Sequence, residues 1–400
     1  MTVEAAVDHA VSGVHRLPAW LTLLLAAACG MITANVYYAQ PLIGLISGDL
    51  GMTPQTAGLI VTLTQLGFAA GMILIVPLAD LIENRRLVFA MIGASVIALA
   101  AAGLTNHPQT FLVAALFVGL TSVSVQILVP YASHLAHESI RGRTVGNVMS
   151  GLMIGIMLSR PLSSFLADLS SWHTVFILSA IAMMALAVAL RVALPKRQPH
   201  SKLTYGRLLA SMWTIARTNR VLQRRAIYHS FQFAAFTMFW TVAPLLLTGP
   251  MFHLSQAGVG LFALAGVAGA IAAPIAGRMA DRGWSRPATG LGMVSVGAAF
   301  LITHIAEQGS TLSLSFFVAA AILLDFGITT TLVTGQRAIF TQGQEVRARL
   351  NAVYMTTWYI AGAIASAVGG WAYAHGGWNL PSWIGLGLPV VALLYFATEK

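Results

Sequence analysis

Runs of about 20 apolar residues recur from Pro18 to Ala397, and no other feature restricts the possible folds of this chain as much. At 1.5 Å of rise per residue, each run reaches across the roughly 30 Å hydrocarbon core of a bilayer. Lipid offers no hydrogen bonds, so each run must satisfy its own backbone, which leaves helices or a closed barrel. The runs are rich in Leu, Ala, Met and Gly and lack two-residue alternation, so they are read as helices. Charged residues are 8% of the chain, against about a quarter in soluble domains, which excludes a water-soluble core.

The runs predict an all-α membrane protein of twelve transmembrane helices, at 19–46, 55–79, 87–105, 110–136, 144–170, 173–194, 226–250, 257–279, 287–305, 312–340, 350–374 and 380–397. The net charge of +10 reads as topology rather than nucleic-acid binding, because the charges are one-sided. Arg160 and Arg337 apart, Lys and Arg lie in alternate loops, at the span ends bordering them, or at the termini. The loops around Asp49, His107, Ser171, His253, Glu307 and His375 carry neither. The excess of positive charge on the inner side then predicts a multi-pass protein of the cell (inner) membrane with both termini cytoplasmic.

The longest loop holds eight Lys and Arg residues from Lys196 to Arg225. It divides the chain into a six-helix bundle at 1–194, a basic linker at 195–225 and a second six-helix bundle at 226–400. Within the linker, Leu203, Leu208, Met212, Trp213 and Ile215 can form one side of a short interfacial helix. The halves repeat. Pro77 to Asp80 with Arg85 and Arg86 answers to Gly277 to Arg282 with Arg286, an offset of 281 − 80 = 201 residues, and Arg141-Gly142-Arg143 answers to Arg347-Ala348-Arg349 at 347 − 141 = 206.

With these repeats the chain resembles the major facilitator superfamily along its whole length, and within it the bacterial twelve-span drug/proton antiporters and sugar-efflux permeases. The most specific element is the loop after the second helix of each half, Gly-x-x-x-Asp-Arg-x-Gly-Arg-Arg/Lys in the family. Gly277, Asp281, Arg282 and Arg286 match it, with Trp284 and Ser285 departing from it. The first copy keeps Asp80 followed by Arg85 and Arg86 but has Val76, Leu81 and Glu83 where the family has Gly, Arg and Gly. The resemblance implies two six-helix pseudo-repeats of the major facilitator fold, and an electrostatic latch on the cytoplasmic side formed by Asp80 with Arg86 and by Asp281 with Arg282.

Deep charges in a membrane are costly, so each is a functional candidate. Asp325 is the one deep acid, about 13 residues into the tenth span and so near the midplane, where a carboxyl can serve as a proton carrier. Arg160, before Pro161 in the fifth span, is the one deep base. An Arg160–Asp325 ion pair across the junction of the halves would couple proton binding to rocking. The resemblance places spans 1, 4, 7 and 10 around a central cavity. Its candidate substrate-binding residues are Asn35, Tyr38, Gln40, Gln126, His229, Gln232, Trp240 and Gln336, whose aromatic and amide groups suit amphipathic or hydroxylated molecules. One departure stands against simple drug/proton antiport: Ala115 occupies the place of the family's span-4 Arg, four residues before Gly119. The pairs Gly67 and Gly71, Gly151 and Gly155, Gly266 and Gly269, and Gly362 with Ser366 are expected at the contact between halves.

Cys29 is the single cysteine, so no intrachain disulfide forms. His134, His137 and Glu138 lie close in sequence at the end of the fourth span, too sparse a set for a metal site, and no cofactor is expected. The chain has no Gly-x-Ser-x-Gly or His-Glu-x-x-His, so a membrane-embedded enzyme or sensor is only a remote alternative. The expectation is a monomeric, proton-coupled exporter of small amphipathic compounds. Its partners are the substrate, protons and the bilayer, with no nucleic acid. Proton symport or facilitated uptake of a small polar nutrient is the alternative.

Overall fold

The computed structural model describes residues 18–199, 203–343 and 346–399. The extreme termini, whose side of the membrane the charge pattern predicts, lie outside these residues. All elements among the described residues are helical. In chain order the principal helices are α1 (Ala19–Ala34), α2 (Pro54–Asp80), α3 (Asn84–Leu104), α4 (Pro108–Leu135), α5 (Glu138–Leu169), α6 (Trp172–Ala193), α7 (Arg220–Thr248), α8 (Gln256–Asp281), α9 (Ser285–Ile302), α10 (Thr311–Phe340), α11 (Arg347–Gly376) and α12 (Asn379–Ala397). Ten of them, all but α1 and α9, are long and apolar enough to cross a membrane.

The first predicted span, 19–46, is not one helix. It ends at Ala34, passes through turns to a 3-10 segment at Gln40–Leu42, and resumes at Ile43–Asp49. Pro41 cannot donate to a carbonyl one turn back and its ring crowds that turn, which disfavours a continuous helix at this point. The break turns Tyr37 and Gln40 inward, and both are buried. The ninth span is shorter and less apolar because it opens on Ser285, Arg286 and Pro287.

The same pairing order recurs along the chain. Helix α1 packs on α5, α2 on α4 and α3 on α6; later α7 packs on α11, α8 on α10 and α9 on α12. Across the two sets, α2 packs on α11 and α5 on α8. Lipid is as apolar as a leucine side chain, so close packing rather than the hydrophobic effect must hold helices together, and small residues let backbones meet. A methyl group at Gly67 would overlap the Leu116 carbonyl, and one at Gly119 the Thr64 carbonyl.

These crossings correct the expectation for the small residues. Gly362 and Ser366 do lie between the halves: Gly362 faces the Gln65 side chain, and the Ser366 hydroxyl donates to the Gly58 carbonyl at 2.9 Å. Gly67 and Gly71 instead face α4, Gly151 and Gly155 face Ala26 and Gly30 of α1, and Gly266 and Gly269 face Asp325 of α10. The two tightest backbone approaches, Gly67 with Leu116 and Gly119 with Thr64, are inside the first half, and Gly58 meets the Ser366 carbonyl across the halves nearly as closely; in each place a small residue lets the axes cross.

Contacts between halves gather on the side whose loops lack Lys and Arg. There Gln256 Nε2 donates to the Pro41 carbonyl at 2.7 Å, and the Ala257 amide donates to Asp168 Oδ1 at 3.0 Å. On the basic side a linker helix, Tyr205–Thr218, lies across the bundle with Leu208 and Met212 buried. Trp213, expected on that same side, is exposed beneath the Arg217 guanidinium at 4.5 Å. It follows Met212 directly, and a helix turns consecutive residues about 100° apart.

Candidate functional site

Arg160, 2% exposed, lies about two-thirds of the way along α5. Its Nε donates to Gln40 Oε1 at 2.8 Å. The guanidinium lies over three rings, 4.6 Å from the centroid of Trp240, 5.1 Å from Tyr37 and 5.2 Å from Phe236. Asp325, 7% exposed on α10, accepts a hydrogen bond from Trp240 Nε1 at 3.1 Å. The ion pairs among the described residues do not include Arg160 with Asp325. The expected direct pair is replaced by an indole that meets both charges, with its face toward the cation and its N–H toward the anion. Asp325 is also turned toward Gly266 and Gly269 of α8 rather than into an open cavity.

Next to this relay is an aromatic wall. The Tyr37 and Tyr359 hydroxyls are 3.4 Å apart, Tyr359 packs on Phe68 at 4.2 Å, and Phe233 lies 4.4 Å from Trp358. His229 stacks on Tyr354 at 5.6 Å and meets the Trp358 edge at 5.1 Å, with Nδ1 3.4 Å from Thr331 Oγ1. Several polar atoms here are buried without a partner: Arg160 Nη2, Gln65 Oε1, His229 Nε2, both amide atoms of Gln232, the Tyr354 hydroxyl and Trp358 Nε1. Buried polar groups are nearly always satisfied, so such a concentration marks a place built to meet something polar.

The sequence candidates therefore divide. Gln40, His229, Gln232 and Trp240 belong to this cluster. Asn35 faces α6, where its Oδ1 accepts from the Ser179 hydroxyl at 2.6 Å. Tyr38 and Ser159 line a groove of about 1330 Å³ between α1 and α5, with His137, Arg143 and Asn147 at its basic end. Gln126 and Gln336 are brought together by Asn351, which lies 3.5 Å from the first and 3.4 Å from the second. Tyr37, Gln65, Phe233, Tyr354, Trp358 and Tyr359 are not among the sequence candidates: Gln65 lies on span 2 and Tyr354, Trp358 and Tyr359 on span 11, which read as packing surfaces, while Tyr37 and Phe233 lie on spans 1 and 7 beside residues that are singled out. Gln65 in an apolar run and the Trp358-Tyr359 doublet were the available signals.

The basic-side loops are arranged differently from the expected latches. Arg86 pairs with Glu83 at 3.8 Å, and Glu83 caps α3 by accepting from the Arg85 and Arg86 amides. Arg85 Nη1 reaches the Leu194 carbonyl at 2.9 Å. Asp80 has Arg349 of α11, Arg197 and His134 as its charged neighbours. Asp281 pairs with Arg337 of α10, not with Arg282, and Arg286 donates to the Glu399 carbonyl. In both loops the Asp lacks the expected ion pair with the Arg of its own loop, and an Arg from another helix is its charged neighbour. Arg337 and Asp281 are both largely exposed, so Arg337→Gln is expected to cost only about 0.2–1 kcal/mol of stability in thermal unfolding. A loss of several kcal/mol would contradict a surface pair. No group of three potential metal ligands converges among the described residues.

The polytopic helical bundle, in which two buried charged side chains from different halves meet one indole, has the frame of a membrane transporter. The chain belongs to the Major Facilitator Superfamily, whose model matches residues 22–339 and again 226–400. It is 36% identical over 380 residues to the transporter YgaY of Escherichia coli O157:H7, covering 95% of each chain. It is 26% identical over 330 residues to a chloramphenicol resistance protein of Streptomyces lividans, covering 80% of each. The crystal structure of the nucleoside transporter NupG superposes with a TM-score of 0.75 at 15% identity, over 95% of this chain and all of that one. The protein is a multi-pass membrane transporter of small molecules, and its relatives are carriers rather than enzymes.

Proposed function

We propose that this chain is a monomeric, proton-coupled exporter of small amphipathic compounds in the cell (inner) membrane. Twelve transmembrane helices form two six-helix halves, 1–194 and 226–400, joined by the basic linker 195–225, with both termini cytoplasmic. The observation that carries this reading is the Asp325–Trp240–Arg160 relay, which runs from α10 through α7 to α5 and so connects the two halves. Protonating Asp325 removes the anion that orients the indole, and the indole is the surface on which Arg160 rests. A proton thus has different contacts in two arrangements, which is what shifting a two-state equilibrium requires.

Two further observations support it. The halves meet on the side without Lys and Arg, while the groove between α1 and α5 ends among His137, Arg143 and Asn147 on the basic side. That is the arrangement of a carrier closed outward and loaded from the cytoplasm. The Streptomyces lividans relative is named for chloramphenicol resistance, which export would produce. On this reading Asp80 with Arg349, and Asp281 with Arg337, join Arg85, Arg86, Arg282 and Arg286 at the cytoplasmic gate.

The test uses the full chain in liposomes carrying a pH-sensitive dye, with chloramphenicol and ethidium as probes. An imposed pH gradient is expected to drive probe movement against an equal movement of protons. Probe flux indifferent to the gradient from either side would sink proton coupling and leave a facilitator.

A further inference from the structure

The buried guanidinium of Arg160 is not saturated. Arginine carries five N–H donors in a planar fork. Here Nε is used by Gln40, while Nη2 is buried and unpartnered, and among the described residues no carboxylate lies within ion-pair distance. Its remaining neighbours are ring faces, which meet the cation electrostatically but accept no N–H in the fork's plane. The titratable groups facing Arg160 are Asp325, behind the Trp240 indole, and the Tyr37 phenol.

We infer that Arg160 anchors the carboxylate of an aromatic monocarboxylic anion, so that organic anions are among the compounds carried. This rests on the central cluster being the transport site. A carboxylate matches the guanidinium fork in shape and charge and would satisfy Nη2 with a charge-assisted hydrogen bond. The rings of Tyr37, Tyr359, Phe233 and Trp358 pack on one another in a buried chain running away from the guanidinium, and these are the groups that the aromatic body of such a ligand would meet. The single guanidinium, with Asp325 one indole away, compensates one negative charge and leaves a dianion short of a partner. On α7, between His229 and Phe236, the buried and unpartnered Gln232 amide carries a further donor and acceptor.

The experiment labels the full chain in liposomes with phenylglyoxal, which modifies arginine, and follows the Arg160 peptide by mass spectrometry with benzoate, phenylacetate, benzamide or chloride present. Benzoate or phenylacetate at saturation is expected to slow labelling of Arg160 by about tenfold or more, as displacing a bound charge pair implies, while benzamide and chloride leave it unchanged. Equal protection by benzamide would show that shape and not charge is read. Equal protection by chloride would indicate an inorganic anion site, and an Arg160 that never labels, or that neither acid protects, would close the site to such ligands; each of these outcomes overturns the inference. Arg160→Lys keeps the charge without the fork and is expected to weaken benzoate binding by at least about tenfold. Protection without any proteoliposome flux of benzoate would leave the anchor standing and overturn the transport reading; benzamide flux with no protection of Arg160 would do the reverse.

Discussion

Replacing Asp325 by Asn is expected to abolish gradient-driven accumulation while leaving a folded, monodisperse protein. The amide preserves the shape of the carboxyl and can still accept from Trp240 Nε1, so the packing of α7 against α10 survives. What it loses is the ability to bind and release a proton. A gradient of one pH unit is worth about 1.36 kcal/mol per proton, enough to hold about a tenfold substrate ratio across the membrane. That ratio, measured with a radiolabelled probe, should collapse to one in Asp325→Asn, with exchange between equal probe pools retained. An unchanged ratio would make Asp325 a structural acceptor for Trp240 and place coupling elsewhere.

The second large effect is structural. Gly119→Leu is expected to leave no monodisperse protein in size-exclusion chromatography, because the space of its Cβ is occupied by the Thr64 carbonyl of α2. Gly119→Ala, which adds a single methyl, is expected to destabilise by roughly 1–3 kcal/mol, the usual range for overpacking, or more because backbone must move. Gly93→Ala in α3 is the control: nothing lies within 4 Å of that Cβ, and alanine favours a helix by up to about 1 kcal/mol. If Gly119→Ala and Gly93→Ala have the same melting temperature, α2 and α4 do not cross as closely as described.

The site was partly legible because a charge in a membrane-length apolar run advertises itself. Asp325 and Arg160 needed only depth and cost to be singled out, and Trp240, Gln40, His229 and Gln232 lay on helices that the family resemblance placed inside. Asn35 stands apart from this cluster, because polarity says nothing about azimuth: it is buried, and its oxygen turns to Ser179 of α6. Gln65, Trp358 and Tyr359 were passed over because their helices carry the small residues of a packing seam, and one helix can serve both purposes on neighbouring faces.

By itself the sequence determined the solvent, since runs of that length and apolarity have no stable home in water and must close their hydrogen bonds as helices. It also determined the internal repeat, and through it the family. Those properties are local or periodic, and they add up along the chain. Which side chains meet is not local. Trp240 stands between Arg160 and Asp325 because helices 80 and 85 residues apart from it in the chain bring their charges to the two poles of one indole. Asp281 chose Arg337 over the adjacent Arg282 for the same reason. Such choices depend on helix rotation and on where glycines let backbones approach, and only the folded bundle decides them.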